Sequence, residues 1–440
     1  MATLPAVSFT TNPAAPKVGD VVTFTPTASS PNGAVTSYQW DFGDGVVMSI
    51  ATGNAVTHTY STAGTYTVKL TVKDSTNATF VGTRVVIVGT ADGLGVPYLD
   101  ETGTPKVATS VTTLTGGGAT TLNSGWYVCP ANTTVTYSPY YARIKVNGNV
   151  HLILADNCNL KAGGGIDVSG ANSITIYAQS TGNSMGSLTA EGIGGYTIND
   201  PQIAGIGGNM DVNNGIISIH GGAITVTGYG HCAGIGGCNS SIDGGKITIT
   251  GGIIKATGGY YDWFANYQTG PGIGNFNGDI TISGGEVTAT GAYRNAGIGV
   301  GTATKITISG GHITSTGSAG GAGIGAGADG STINSSIIIT GNANVAAIGG
   351  DGVEHVDCNM YYCSYYDYGG GAGIGSGGSS GNMPMSVGMI QIASTAIVNA
   401  AGGSHAVNIY SIIVSGAGAK IGQGGYKGDG NNGAEIVPLP

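Results

Sequence analysis

Two segments far apart in the chain concentrate side chains capable of chemistry. Gly258 to Pro271 reads GGYYDWFANYQTGP, and Gly349 to Gly371 reads GGDGVEHVDCNMYYCSYYDYGGG. They carry Asp262 in the first and Glu354, Asp357 and Asp367 in the second, with His355 beside them. Carboxylate pairs held about 5–9.5 Å apart are what glycoside hydrolysis requires, so these four are the candidate catalytic residues. A lyase would want a basic residue beside acids on the strands themselves, and Arg294 is the only arginine after Arg143. Glu354, His355 and Asp357 are metal-ligating types without a recognised ligand spacing, and no metal is assigned to them. Sequence gives no pairwise distances, so catalytic roles stay unassigned at the step where geometry is needed.

The same segments hold the candidate binding residues. Tyr260, Tyr261, Trp263, Phe264 and Tyr267 lie in the first, and Tyr361, Tyr362, Tyr365, Tyr366 and Tyr368 in the second. Aromatic clusters in loops need a partner, because water disfavours them. Sugar rings stack their C–H faces on aromatics and offer hydroxyls to Asp, Asn and Tyr. A protein surface suits Tyr and Trp equally well. The alternative is that the rings fold back onto their own loops.

The elements that position these loops are repeats. Gly284 to Gly325 contains one pattern twice: an I-T-I-S strand, a Gly-Gly corner, a V/I-T-x-T-G strand, a variable corner and A-G-I-G, with Ile298 and Ile324 26 residues apart. Such a period signals a solenoid, whose units bury their apolar side only by stacking. The I-T-I strand recurs at Ile174, Ile217, Ile247, Ile280, Ile306, Ile337 and Ile390, with a weaker copy at Leu152 to Leu154. A-G-I-G recurs at Ile206, Ile235, Ile273, Ile298, Ile324 and Ile374, with Val407 as a degenerate form. Three short strands per turn, Ile inward and Thr outward, predict a parallel β-helix over residues 144–440, right-handed by the usual preference of parallel crossovers. Residues 91–143 are expected to be linker (Gly93 to Pro97) and cap, with Trp126, Tyr127, Tyr140 and Tyr141 covering the open edge. A-G-I-G recurs every turn with no helix pattern after it, which excludes a dinucleotide fingerprint. The Thr pairs suggest an ice-binding array, but Lys255 and Ser315 interrupt it.

Long insertions all fall in the corner before A-G-I-G: Ile193 to Ile203, Gly258 to Pro271 and Gly349 to Gly371. The last two lie three turns apart, about 14 Å at about 4.8 Å per turn. Between them the corner is short, as at Ala292-Tyr293-Arg294-Asn295. The expectation is a notch with two aromatic walls and Tyr293 and Arg294 on its floor.

The 440 residues include 84 Gly and only 14 Lys plus Arg, with net charge −9. So little positive charge argues against nucleic acid as a partner. No run is long and apolar enough for a membrane helix. The N-terminus shows no basic region followed by an apolar core. Either a signal has been removed or the protein leaves its cell without one, as a virus particle released by lysis would. Cys358 and Cys363 could close their loop as a disulfide, and Cys129 and Cys158, about one turn apart, could meet across adjacent coils. Cys232 and Cys238 flank A-G-I-G-G; if that stretch is extended their Cα atoms lie about 20 Å apart, so they are expected to be unpaired with each other.

Residues 1–90 alternate polar and apolar types with frequent turn signals, a β-sandwich pattern. Tyr38-Gln39-Trp40-Asp41-Phe42-Gly43-Asp44-Gly45, His58-Thr59-Tyr60 and Gly64-Thr65-Tyr66-Thr67-Val68 carry a close resemblance to the PKD domain, an Ig-like fold. Trp40 and Phe42 are expected in the core. Asp41 and Asp44 should cap the turn, with calcium binding the alternative; no other cofactor is implied. The resemblance implies a spacer or protein-contact module on extracellular proteins. The coils resemble the Gly-Ile-Gly-repeat β-helices of gut-bacterial surface proteins and of particles that infect those bacteria, which implies an exposed structural or glycan-binding role. The combined expectation is all-β and non-enzymatic. It is a protein of a phage exterior or bacterial cell surface that binds glycan or surface polysaccharide at the notch and meets virion or envelope proteins through its N-terminal module. The alternatives are a polysaccharide-degrading β-helix and a purely structural fibre or decoration subunit.

Overall fold

The computed structural model describes residues 6–14, 16–62, 64–89, 95–138, 143–194, 202–209, 212–238, 245–261, 268–274, 278–299, 305–328, 336–358, 363–368, 370–379, 389–404, 421–422 and 436–438. All regular structure among them is β, and no helix is long and apolar enough to cross a membrane. The chain divides into two compact units. One comprises residues 1–100 with 104–112, and the other 113–440 with 101–103.

The first unit is a β-sandwich. Its strands are β1 (Ala6–Asn12), β2 (Val22–Ser29), β3 (Val35–Asp41), β4 (Val47–Ile50), β5 (Val56–His58), β6 (Gly64–Asp74) and β7 (Thr79–Val88). They form two antiparallel sheets, ordered β1-β2-β5 and β4-β3-β6-β7. Alternation along each strand sends one set of side chains between the sheets. Trp40, Phe42, Phe24 and Tyr60 are fully buried there, and Trp40 and Phe42 stack with ring centroids 6.2 Å apart. Val96 and Pro97, within the expected Gly93-to-Pro97 linker, instead begin the strand Val96–Leu99, which pairs antiparallel with Pro105–Ala108.

Carboxylates fix the turns of this sandwich. Asp41 accepts the Gly43 amide at 3.0 Å, and Asp44 accepts the Val46 amide at 3.1 Å and meets His58 Nε2 at 2.7 Å. Burial raises the Asp44 carboxyl, but the His58 hydrogen bond and the Val46 amide outweigh it and hold the group below its usual range. Asp74 closes the β6–β7 turn by accepting from Ser30 Oγ, from Thr76 Oγ1 and its amide, and from the Ala78 amide, at 2.6–3.0 Å. The Thr76 and Ser30 hydroxyls lower its pKa from 3.8 to about 2.

The second unit is a stack of coils with three strand positions per turn. Along the I-T-I position, Lys246–Ile249, Asp279–Ile282, Lys305–Ile308, Ser336–Ile339 and Met389–Ile392 pair in parallel register, Ile on Ile. Along the second position, Ile253–Thr257, Glu286–Thr290, His312–Thr316 and Asn344–Ile348 pair likewise. The A-G-I-G position stacks Ile166, Ile206, Ile235, Ile273, Ile298, Ile324 and Ile374. The next Ile in this row is Ile421, where the sequence suggests Val407, which lies outside the described residues. Thr120–Cys129 already pairs in parallel with Ile144–Leu154, so coil structure begins before residue 144.

Strand alternation puts Ile280, Ile282, Ile306, Ile308 and Ile324 in one continuous core, each no more than 2% exposed. Corner glycines such as Gly285 and Gly311 adopt φ near +90° (+87° and +89°), which L-residues with side chains rarely reach. The threonine row has one less interruption than its sequence suggests. Ser315 registers with Ala289 and Ala347 in the interior row, where its hydroxyl is fully buried and donates to the Gly323 carbonyl at 2.6 Å.

Two outcomes check this packing. Ile324→Ala should cost about 2–5 kcal/mol in chemical denaturation, the range for a truncated core aliphatic, while outward Thr314→Ala stays within about 0.5 kcal/mol. Asp74 has a folded pKa below its unfolded value, so its contribution is present above pH 3.8 and lost as pH falls towards about 2. Asp74→Asn should therefore lower the thermal midpoint of the sandwich at pH 7, and the two midpoints should converge near pH 2.

Candidate functional site

The corner before A-G-I-G is one edge of the stack, and its backbone shows how the long insertions are seated. Tyr260–Tyr261 pairs antiparallel with Gln268–Thr269, and Val353–Cys358 pairs antiparallel with Cys363–Tyr368. Both insertions are thus β-hairpins. The first is rooted where the Gly270 amide donates to the Gly259 carbonyl at 2.8 Å. Below it the Gly259 amide donates to Cys232, and above it the Ala292 amide donates to Gly270. The second is rooted where Gly371 donates to Gly350, and Gly350 donates to Gly321 of the coil beneath. In coil order the edge therefore runs from Cys232 to the first hairpin, then the short corners at Ala292 and Ser318, then the second hairpin.

The short corner at residues 292–295 is a tight turn. Its Asn295 amide donates to Ala292 at 2.8 Å, and Arg294 sits at φ +64°. Tyr293 and Arg294 are half-buried there. Asn295 ties this corner to the hairpin below, since its Nδ2 donates to the Thr269 carbonyl at 3.1 Å and to Thr269 Oγ1 at 2.8 Å. Tyr260, at the hairpin root, is 50% exposed.

The remaining candidate residues divide between backbone and no description. Asp262, Trp263, Phe264, Tyr267, Tyr361 and Tyr362 lie outside the described residues. Tyr261, Glu354, Asp357, Tyr365, Tyr366 and Asp367 have strand positions only. The register puts Glu354 opposite Asp367, His355 opposite Tyr366, Asp357 opposite Ser364 and Cys358 opposite Cys363.

The cysteines correct two expectations. Cys232 and Cys238 are disulfide-bonded, with Cα atoms 3.8 Å apart. The A-G-I-G-G stretch between them is a turn and not an extended run: only Ile235–Gly236 is strand, Gly236 has φ +130°, and the Ala233 amide donates to Gly237 at 2.9 Å. Six extended steps would hold the two Cα atoms about 20 Å apart; the turn brings them together instead. Cys129 and Cys158, expected to meet and pair across adjacent coils, are instead buried free thiols in the coil core. The neighbouring Cys158 thiol, followed by burial, pushes the Cys129 thiol far up.

Two features were not anticipated. Trp126, His151, Tyr177 and His220 form a ladder of rings on successive coils, with centroids 4.4 Å apart for Trp126–His151 and 5.3 Å for Tyr177–His220. Burial lowers the His151 pKa. The available signal was positional, since these residues occupy outward strand positions that later coils fill with Ser or Thr. The second feature is Arg143, which reaches Asp167 at 3.2 Å and also bonds Asn209. Burial lowers its pKa to about 10 against the pull of Asp167. Among the described residues no cluster of three or more His, Cys, Asp or Glu could hold a metal.

Residues 3–88 match the family model described as the PKD domain. The N-terminal unit is a PKD domain. A microbial collagenase of Vibrio alginolyticus is 41% identical over 78 residues, which are 18% of this chain and 9% of the collagenase. The chain thus spans less than a tenth of that relative. A solved PKD1 domain of Vibrio anguillarum Epp is 33% identical, with TM-score 0.17, covering 20% of this chain and 96% of its own. A structure of carbohydrate-binding modules from the β-sandwich superfamily is 33% identical, with TM-score 0.20, covering 21% of this chain and 36% of its own. The coils lie outside the residues that the PKD model matches.

Asn295 makes the link between hairpin and corner testable. Asn295→Ala should speed hydrogen exchange at the Gly270 amide by about tenfold, the effect of losing one hydrogen bond of roughly 1 kcal/mol or slightly more. Exchange in the strands Asp279–Ile282 and Lys305–Ile308 should not change.

Proposed function

We propose that this is an exposed, non-enzymatic surface protein whose coils bind glycan along the corner edge. The PKD domain would space the coils or attach them to virion or envelope proteins, on a phage exterior or a bacterial cell surface. The observation that carries this reading is the rooting of two hairpins on one edge, three coils apart, with Tyr293 and Arg294 on the corner between them. A rigid stack holds the two hairpins at a set separation of about 14 Å, a span suited to a few sugar units. Their sequences supply Trp263, Tyr267, Tyr362, Tyr365 and Tyr366 for stacking and Asp and Asn for hydroxyls. The Cys358–Cys363 register fits a disulfide closing the second hairpin near its tip.

One observation favours a second reading, polysaccharide cleavage. Opposed residues of an antiparallel pair have Cβ atoms about 4.5–5.5 Å apart, and Glu354 stands opposite Asp367. Retaining glycosidases hold their two carboxyls about 5–5.5 Å apart.

A glycan array probed with the whole chain, followed by product analysis of each bound glycan, separates the readings. The expected result is binding without cleavage, weakened about tenfold or more by Trp263→Ala and by Tyr365→Ala, equivalent to about 1.4 kcal/mol. Cleavage that Asp367→Asn and Glu354→Gln abolish would establish the enzyme instead. Binding unaffected by both aromatic substitutions would remove the notch, and no binding at all would leave a structural subunit.

A further inference from the structure

The second unit has a depression of about 250 Å³ at a place no functional reading has used. It lies on the outer face of the first three coils, where the strands Thr134–Tyr137, Asn159–Ala162 and Ser187–Glu191 run into the corner. Parallel register puts Thr136, Lys161 and Thr189 at one position in successive coils. Ser138 and Glu191 complete the polar lining.

The charges in this depression are what make it informative. Lys161 and Glu191 lie on adjacent coils, two residues apart in register, yet they form no ion pair with one another or with another described residue. One ammonium and one carboxylate thus face the same small space with their hydrogen-bonding capacity open. Three hydroxyls, from Thr136, Ser138 and Thr189, flank them. An ammonium offers three donors, a carboxylate accepts at two oxygens, and a hydroxyl does either. That mixture matches a ligand presenting several hydroxyls, each both donor and acceptor. Because the two charges balance, the pocket has no net attraction for an anion, and the chain's charge of −9 disfavours a polyanion further. The space is below the roughly 300–1,000 Å³ of pockets for drug-sized ligands, which suits one sugar ring and not an oligosaccharide.

We propose that this depression is a subsite for a single neutral hexose unit of a polysaccharide. The Glu191 carboxylate accepts from two ring hydroxyls, and the Lys161 ammonium donates to a hydroxyl or ring oxygen. The threonine and serine hydroxyls complete the shell. This rests on the glycan reading only for the claim that the sugar is part of a polymer. Lys161 is four coils from Tyr293, about 19 Å at about 4.8 Å per coil, and Glu191 is two coils, about 10 Å, from the strand that leads into the first hairpin, so the subsite lies outside the notch, beyond its first wall.

Affinity electrophoresis of the whole chain in gels containing dextran, galactomannan or polygalacturonate tests it. The expected result is retardation by dextran or galactomannan. Lys161→Ala and Glu191→Gln should each weaken it at least about tenfold, the size of a lost charged hydrogen bond. Thr314→Ala, farther along the same face, should not change it. Lys161 and Glu191 are exposed, so both variants should fold, which unchanged circular dichroism verifies. Equal retardation of wild type and the two variants would overturn the proposal, as would absence of retardation in both neutral gels. Retardation by polygalacturonate alone, lost in Lys161→Ala, would make this an anion site and overturn the neutral assignment. Loss of retardation in Trp263→Ala but not in Lys161→Ala would leave the notch standing without the subsite, and the reverse would do the opposite.

Discussion

The close approach of backbone to backbone at the A-G-I-G position governs the coil unit. The Ile324 amide donates to the Gly373 carbonyl at 2.9 Å, and the Gly325 amide to Ile298 at 2.8 Å. Gly325 sits at φ +136°, and a Cβ there would overlap the Gly375 carbonyl oxygen. Gly299 and Gly207 meet the same constraint against their own neighbours. At these three positions glycine lets successive coils close up, and the tight stack in turn gives each Ile of the A-G-I-G row from Ile206 to Ile374 another Ile below and above. The high glycine content therefore reflects order, because the residue recurs where a side chain would hold the coils apart.

That constraint also determines where variation is tolerated. The strand positions are committed on both sides, Ile to the core and backbone to the neighbouring coils. The corner before A-G-I-G keeps only its two ends in the stack, so residues inserted between them cost no core contact. Gly259 and Gly270 illustrate this, since they bond to one another and to the coils below and above while Tyr260–Tyr261 and Gln268–Thr269 pair with each other. The stack converts a one-dimensional arrangement of insertions into an edge with defined spacing. The hairpin positions can thus be read from coil count alone.

Most of the coil register was legible in the sequence because the period of two within a strand and the return of Ile at each turn are both consequences of stacking. Trp40 and Phe42, likewise, are buried where the sandwich pattern puts them. What was not legible involves departures from average geometry. Cys232 and Cys238 pair because a glycine at positive φ folds the chain back between them, and residue spacing alone does not reveal a turn. Ser315 looks like a member of the outer threonine row, but its parity on the strand is that of Ala289, so it points inward and requires a carbonyl partner. The ring ladder from Trp126 to His220 joins residues 25–43 positions apart whose types differ; it shows only when coils of unequal length are superposed.

Both units commit carboxylates to partners within the chain, and an exception among them bears on where function resides. In the PKD domain, Asp41, Asp44 and Asp74 are committed to amides, hydroxyls and an imidazole, which lowers the pKa of Asp44 and Asp74 and secures turns. On the coils, Asp167 is similarly committed to Arg143. Glu191 is not: it faces an open depression with Lys161 nearby and unpaired. A chain with only 8% charged residues has few such groups to place. An ammonium and a carboxylate that line one depression on adjacent coils without forming an ion pair give up mutual attraction. Exposed ion pairs contribute only about 0–1 kcal/mol, so that loss is small. A hydroxyl-rich ligand seated in the depression and bridging both groups would gain more from them than they gain from each other.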